Sequence, residues 1–224
     1  MILYLHGFRS APASIKARAL KARMVERGLA DRFWCEQLPV SPRAAIALVE
    51  DEIARARAAG LEPTVVGSSL GGYYATWLAE RHDLRAVLVN PAVVAPLSLE
   101  AYVGMQDNLY TGERFEFTHG HIDELRAIEV PTITRPRRFW LMVEIGDEVL
   151  DYRHAVEKYA GARQTVLEGG DHGFSRWNDY LDEVIAYAGL GEAPLAGLGD
   201  TSLAGLGDTP PVVPGDAKPA DARP

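Results

Sequence analysis

Three side chains able to act as nucleophile, base and acid stand just after apolar runs: Ser69, Asp147 and His172. Ser69 is the centre of Gly67-Ser68-Ser69-Leu70-Gly71, inside the run Thr64-Val65-Val66-Gly67-Ser68-Ser69-Leu70-Gly71-Gly72-Tyr73-Tyr74-Ala75. The run reads as a strand turning sharply into a helix, and its centre fits G-x-S-x-G, an elbow that presents a serine on a strained corner. The glycines have a steric task. A serine at positive φ is strained, and side chains at Gly67 and Gly71 would crowd the chain as it doubles back. Such a corner points the Ser69 hydroxyl above the strand end and sets the Leu70 N–H beside it.

A serine hydroxyl is a weak nucleophile until a base removes its proton, and histidine is the side chain best suited to that task near neutral pH. His172, in Gly169-Gly170-Asp171-His172-Gly173-Phe174, is the candidate base. A carboxylate on the far ring nitrogen would fix the tautomer and stabilise the imidazolium. Asp147 directly follows its strand and is the candidate. Asp151 is the alternative, although its place before Tyr152 also suits a helix N-cap. Glu144, Glu148 and Asp171 remain as further competitors. Two N–H donors are needed for a developing oxyanion, and those of Phe8 and Leu70 are the natural pair. Phe8 is chosen by its position after the first strand. His6 is expected to buttress that loop. His119 and His121 suggest a metal pair, but no Cys or carboxylate cluster at ligand spacing accompanies them. His82 and His154 are expected to be solvated. No metal and no cofactor are required.

The elements that must position these groups are legible in outline. Ile2 to Leu5 is an apolar strand; Ser14 to Arg27 reads as a helix closed by Gly28; Phe33 to Leu38 is a second strand. Ser41-Pro42 opens a helix with Ile46, Val49 and Ile53 on one face and Gly60 at its end. Strands follow at Leu61 to Val66 and Leu84 to Val89, with a helix from Tyr73 to His82 between them. Phe139 to Val143 and Gln164 to Leu167 resume the strand pattern, flanking a helix from Tyr152 to Tyr159. A last helix spans Asn178 to Ala188. Continuous apolar strands alternating with helices predict a parallel sheet of about six strands covered on both faces. Functional loops then gather at the carboxyl ends of the strands, where Phe8, Ser69, Asp147 and His172 all lie. Arg135, Arg137 and Arg138 precede a strand and belong at the opposite end.

Residues 93–138 break the alternation, and an insertion of that length in a compact domain predicts a lid or binding loop. Beyond Leu190 the chain becomes rich in Gly, Pro, Ala and Asp, and Leu-Ala-Gly-Leu-Gly-Asp-Thr occurs twice, at 195–201 and 203–209. Residues 191–224 are therefore expected to be a disordered tail after one domain at 1–190. A formal charge of −8 argues against a nucleic-acid partner. The single Cys35 cannot form an internal disulfide and reads as a small buried hydrophobe. The first residues open directly in a strand, without a basic or long apolar leader, and no run approaches the roughly 20 apolar residues of a membrane span. A cytoplasmic protein is the expectation; the oligomeric state is not readable.

Together, Tyr4-Leu5-His6-Gly7-Phe8, the Gly67–Leu78 elbow and helix, Gly146-Asp147-Glu148-Val149-Leu150-Asp151-Tyr152-Arg153 and Gly169-Gly170-Asp171-His172 resemble the α/β-hydrolase superfamily, and within it the YqiA/YcfP-type family of small bacterial esterases. The resemblance spans about residues 1–190. It implies an esterase acting on acyl esters or thioesters with Ser69 as nucleophile. It also implies a reduced sheet lacking two edge strands of the wider superfamily, whose acid loop has its glycine three residues before the acid. Here Gly146 adjoins Asp147. The alternatives are an acyltransferase or acyl-CoA thioesterase using the same residues, or a non-catalytic binding protein on this scaffold.

Overall fold

The computed structural model describes residues 1–191 of the chain. In chain order they form β1 (Ile2–Leu5), α1 (Ile15–Glu26), β2 (Phe33–Trp34), α2 (Pro42–Ala58), β3 (Thr64–Ser68), α3 (Leu70–His82) and β4 (Arg85–Val89). There follow α4 (Ala95–Leu99), β5 (Gly104–Asp107), β6 (Arg114–Phe117), α5 (His119–Ala127), β7 (Phe139–Glu144), α6 (Tyr152–Lys158), β8 (Arg163–Leu167) and α7 (Leu181–Tyr187). Six strands make one parallel sheet in the order β2-β1-β3-β4-β7-β8.

The unbroken apolar character of the strands has a direct cause. Successive strand side chains point to opposite faces, and here both faces are dry. Leu3, Leu5, Val65, Ala86, Leu88, Leu141 and Val143 pack in one core with residues of α2, α3 and α5. Ile2, Tyr4, Val66, Val87, Val89, Trp140 and Met142 pack in the other with residues of α1 and α7. The strands bearing the candidate serine and acid are therefore interior, and the loops at their ends inherit that rigidity.

Several element ends differ from the sequence reading, each for a local reason. β2 stops at Trp34 instead of Leu38, because the Leu38 N–H donates to His6 Nε2 (3.0 Å) and not to a neighbouring strand. β3 starts at Thr64, not Leu61: the Leu61 N–H closes the end of α2 by donating to the Ala56 carbonyl (2.9 Å), with Gly60 at φ 74°. Pro63 then has no N–H to offer a ladder. α3 begins at Leu70, three residues before the expected start, so the elbow feeds straight into the helix. The last helix is split into a 3-10 turn at Trp177–Tyr180 and α7. Ser41 caps α2 as expected, accepting from the Ala44 N–H (3.2 Å), with Pro42 in the first turn.

Residues 93–138 hold α4, the antiparallel hairpin β5–β6 and α5. His121 is a capping residue: Thr118 Oγ1 accepts from the His121 N–H while His121 Nδ1 accepts from the Thr118 N–H. His119 faces Glu100 at 3.4 Å, and among the described residues no group of His, Cys, Asp and Glu is arranged to hold a metal ion. His82 is a correction to the sequence reading, since it is half-buried and its Nε2 lies 2.8 Å from Glu50. His154 is exposed. Arg135 and Arg138 pair with Asp83, which closes α3 before β4 begins. Cys35 is partly buried, and burial pushes its thiol up to about 12. No described helix is long and apolar enough to cross a membrane. The tail expectation falls on residues 192–224, outside the described residues.

Candidate active site

Ser69 sits between β3 and α3 at φ 55°, ψ −121°. Its backbone is held on every side: its N–H donates to the Val89 carbonyl (3.1 Å), and its carbonyl accepts from the N–H groups of Gly72 (2.9 Å) and Ala92 (3.0 Å). Such over-determination lets a strained residue persist, at a cost of about 1–3 kcal/mol. Both flanking glycines are needed for space. A Cβ on Gly67 would collide with the Gly71 carbonyl, and one on Gly71 with the Leu5 carbonyl. The close approach also brings the Gly7 backbone against the Ser69 side chain.

His172 Nε2 lies 3.1 Å from Ser69 Oγ, and His172 Nδ1 lies 2.8 Å from Asp147 Oδ2. The tautomer follows from the partners. A carboxylate can only accept, so Nδ1 carries the proton and Nε2 is bare towards the serine. Asp147 Oδ1 is occupied by the N–H groups of Val149 and Leu150, each at 2.8 Å, which fixes the carboxylate plane. The Asp147 side chain is only 2% exposed and that of His172 24%. The hydroxyl, imidazole and carboxylate thus form one hydrogen-bonded line that can move a proton away from Ser69.

Asp151 stands apart from this line. It caps α6 by accepting from the Arg153 N–H (3.0 Å) and pairs with the Arg153 side chain, which holds its carboxyl down at about 2. Glu148 accepts from the His172 N–H (3.0 Å), binding the loop's backbone and not the ring. Asp171 is exposed. Gly146 explains the unusual spacing of the acid loop: its N–H reaches the Gly169 carbonyl (2.8 Å), and a Cβ there would collide with the Gly170 carbonyl.

On the other side of Ser69, the N–H groups of Phe8 and Leu70 have no hydrogen-bond partner among the described residues. His6 is buried, with Nδ1 3.0 Å from the Gly7 carbonyl and Nε2 accepting from Leu38. Burial pushes its pKa down, keeping the ring neutral, so the Nδ1–H donates to Gly7. In a trans peptide the C=O and the next N–H are opposed, so fixing the Gly7 carbonyl on His6 turns the Phe8 N–H away from that ring. The Phe8 ring packs edge-on against Tyr102, Phe115 and Phe117 at centroid distances of 5.8, 5.9 and 5.0 Å. The loop is tied to the hairpin tip as well, through Leu109 N–H to Arg9 O and Asn108 Nδ2 to Ser10 O, both 2.8 Å.

Two positioning groups were missed by sequence reasoning: Asn90 was given no role there, and Glu144 was weighed only as an alternative acid. Asn90 donates from Nδ2 to the carbonyls of Asp171 (3.0 Å) and His172 (3.2 Å) and accepts at Oδ1 from the Glu144 N–H (3.0 Å). Glu144 is fully buried at the end of β7 and gathers the His172 loop. It accepts from the N–H groups of Asp171 (2.9 Å), Ser175 (2.9 Å) and Arg176 (3.2 Å) and from the Arg176 guanidinium (3.1 Å). Burial opposes its charge, but these donors outweigh burial and hold its carboxyl below the ordinary value. The sequence signal was a charged residue ending an apolar strand, which could equally have marked an exposed strand end.

Glu144→Ala is expected to destabilise the protein by about 3 kcal/mol or more, because several buried N–H groups lose their acceptor together. The sign with pH follows from a depressed folded-state pKa: the carboxylate's contribution is present above the unfolded value and lost as pH falls through the folded one. Thermal melts of the native protein and Glu144→Gln should therefore differ most near neutral pH and converge in acid. A difference that widens in acid would contradict this account.

A six-stranded parallel sheet with a strained serine at the end of β3, facing loops after β1, β7 and β8, is an α/β-hydrolase fold. Residues 1–189 match the model of the uncharacterised protein family UPF0227, and the chain belongs to that family, the YqiA/YcfP family. In fold it is similar to the mouse alpha/beta hydrolase domain-containing protein 10, with a TM-score of 0.61 and 17% identity over 83% of this chain and 89% of that one. It is also similar to a monoacylglycerol lipase of Paleococcus ferrophilus, with a TM-score of 0.59 and 14% identity over 84% and 93% of the two chains. The esterase domain of a Rhodothermus marinus protein aligns at a TM-score of 0.56 and 17% identity over 84% and 85%.

Proposed function

We propose that the protein is a serine hydrolase that cleaves acyl esters or thioesters through an acyl-enzyme on Ser69. The observation that carries this reading is the unbroken hydrogen-bonded line from Ser69 Oγ through His172 to the buried Asp147 carboxylate. Ser69 Oγ attacks the acyl carbonyl carbon as His172 Nε2 takes the hydroxyl proton, and Asp147 stabilises the imidazolium so formed. The carbonyl oxygen gains negative charge and is met by the otherwise unpaired N–H groups of Phe8 and Leu70. Collapse of this intermediate breaks the bond to the leaving oxygen or sulfur, which receives the proton from His172. Water then repeats the sequence on the acyl-enzyme, and Ser69 is released as the acid departs.

Residues 93–138 act in this reading as a cap beside the nucleophile. Leu109 and Tyr110 of the hairpin tip, both exposed, line a cavity of about 400 Å³ that Ser69 and His172 also line. Water and substrate can both reach the nucleophile there, since Ser69 itself is only partly buried. A fluorophosphonate should label the native protein at one site, and peptide mapping should find the label on Ser69. Labelling elsewhere, or none, would remove the basis for the acyl-enzyme.

A further inference from the structure

The cavity that opens on Ser69 has a wall that the hydrolytic machinery does not use. It is made by the start of α1: Ser14, Ile15 and Lys16 line it together with Gly7, Ser69, and His172. Lys16 Nζ donates one hydrogen bond among the described residues, to the Gly173 carbonyl at 2.7 Å. Among the described residues no carboxylate lies within ion-pair distance of it. An ammonium has three N–H donors, so two remain for the cavity.

Ser14 adds an independent observation. It stands at the N-cap of α1, where a serine hydroxyl ordinarily accepts from an N–H of the first turn, yet it makes no such bond. The residue is 7% exposed, and its hydroxyl makes no hydrogen bond of ordinary geometry among the described residues, the Tyr4 phenol being a polar neighbour. The first turn of α1 contains no acidic residue. A buried hydroxyl, a partly buried ammonium and the positive end of a twelve-residue helix therefore meet at one wall with no carboxylate in ion-pair contact among the described residues.

We propose that Ser14, Lys16 and the first turn of α1 form a subsite for a carboxylate carried by the leaving group of the ester that Ser69 attacks. The leaving-group side follows from the chemistry. His172 Nε2 must protonate the departing atom, and Gly173, which anchors Lys16, is the next residue in the chain. A monoanion suits the site better than a phosphate dianion, because Lys16 supplies one charge while the negative charges of Asp171, Asp147 and Glu144 also act there. Two of these acids are already engaged, Asp147 by His172 and two backbone N–H groups and Glu144 by the His172 loop. The inference rests on the serine hydrolase reading and adds to it the charge of the substrate.

Butanoyl esters of β-hydroxypropanoate and of β-hydroxypropanamide are matched in size and differ in charge. The quantity to measure is the ratio of their kcat/KM values, carboxylate over amide, in the native protein and in Lys16→Met. Any general disturbance of the His172 loop lowers both values and cancels in the ratio. The native ratio should be about ten or more near neutral pH, and in Lys16→Met it should fall to one or below. Burial pushes Lys16 down to about 8, with the charges of Asp171, Asp147 and Glu144 working against that shift. Tyr4, Tyr110, Asp171 and His172 line the same cavity; turnover of either ester needs the same neutral imidazole, so the protonation state of His172 cancels in the ratio. The native ratio should accordingly fall as pH rises through 8, where the ammonium loses its proton.

An equal ratio in native protein and Lys16→Met, or a native protein that prefers the amide, overturns the subsite. Should Lys16→Met fail to fold, a native ratio that does not change with pH overturns it as well. In each of these cases the native protein still hydrolyses the amide ester, so the hydrolase reading survives. Absence of turnover of both esters and of p-nitrophenyl butanoate, with no fluorophosphonate label on Ser69, defeats both.

Discussion

Ser69→Ala is expected to lower ester turnover by about 10⁴-fold to 10⁶-fold while leaving the fold intact, because nucleophile and base act as one unit and either loss removes the common step. The structure supplies the reason stability should be spared. Among the described residues Ser69 Oγ has one hydrogen bond, to His172 Nε2 at 3.1 Å, whereas the contacts that hold the strained turn come from the backbone N–H and carbonyl of residue 69. Alanine keeps all of those, and its Cβ occupies the space serine already uses. Circular dichroism and thermal melting should thus match the native protein while p-nitrophenyl butanoate hydrolysis falls towards the uncatalysed rate. Purified Ser69→Ala that retained more than a hundredth of native turnover would place the nucleophile elsewhere, and no fluorophosphonate label should then map to Ser69 in the native protein.

Asp147→Asn should cost about 10⁴-fold in kcat by a different route, the tautomer of His172. Oδ1 of Asp147 accepts from Val149 and Leu150, so an asparagine there must keep its oxygen on those N–H groups and turn its NH₂ towards His172 Nδ1. The ring then accepts at Nδ1 and carries its proton on Nε2, facing the serine it should deprotonate. Asp151→Ala is the matched comparison. Asp151 caps α6 and pairs with exposed Arg153, so its loss should alter helix stability slightly and turnover by no more than a few-fold. If instead Asp151→Ala abolished turnover and Asp147→Asn kept it, the acid assignment would be reversed.

The choice between these two aspartates shows where linear reading stops. Both follow β7, by three and seven residues, and both have a plausible task in the sequence. The distinction comes from which way each side chain leaves the loop. Asp151 turns inward on its own helix to satisfy the Arg153 N–H, while Gly146, by approaching the residue 169–170 turn closely, aims Asp147 at His172. Glu144 illustrates the same limit. As a letter it is a charged residue at a strand end; in three dimensions its carboxylate collects donors from residues 171, 175 and 176, about thirty positions away.

The pattern of apolar runs and glycines was enough to determine a two-faced parallel sheet, the strand order of chemistry-bearing loops along the chain, and the elbow at Ser69. Those features depend on local sterics and on which residues avoid water, and both are written in neighbouring positions. Tertiary structure alone decided which acid meets His172, that Lys16 and Ser14 share a cavity with Ser69, and that β2 is cut short by His6 taking the Leu38 N–H. Each of these is a directional contact between segments distant in the chain, and hydrogen bonds of that kind depend on angles and distances that exist only after the sheet has closed its two cores.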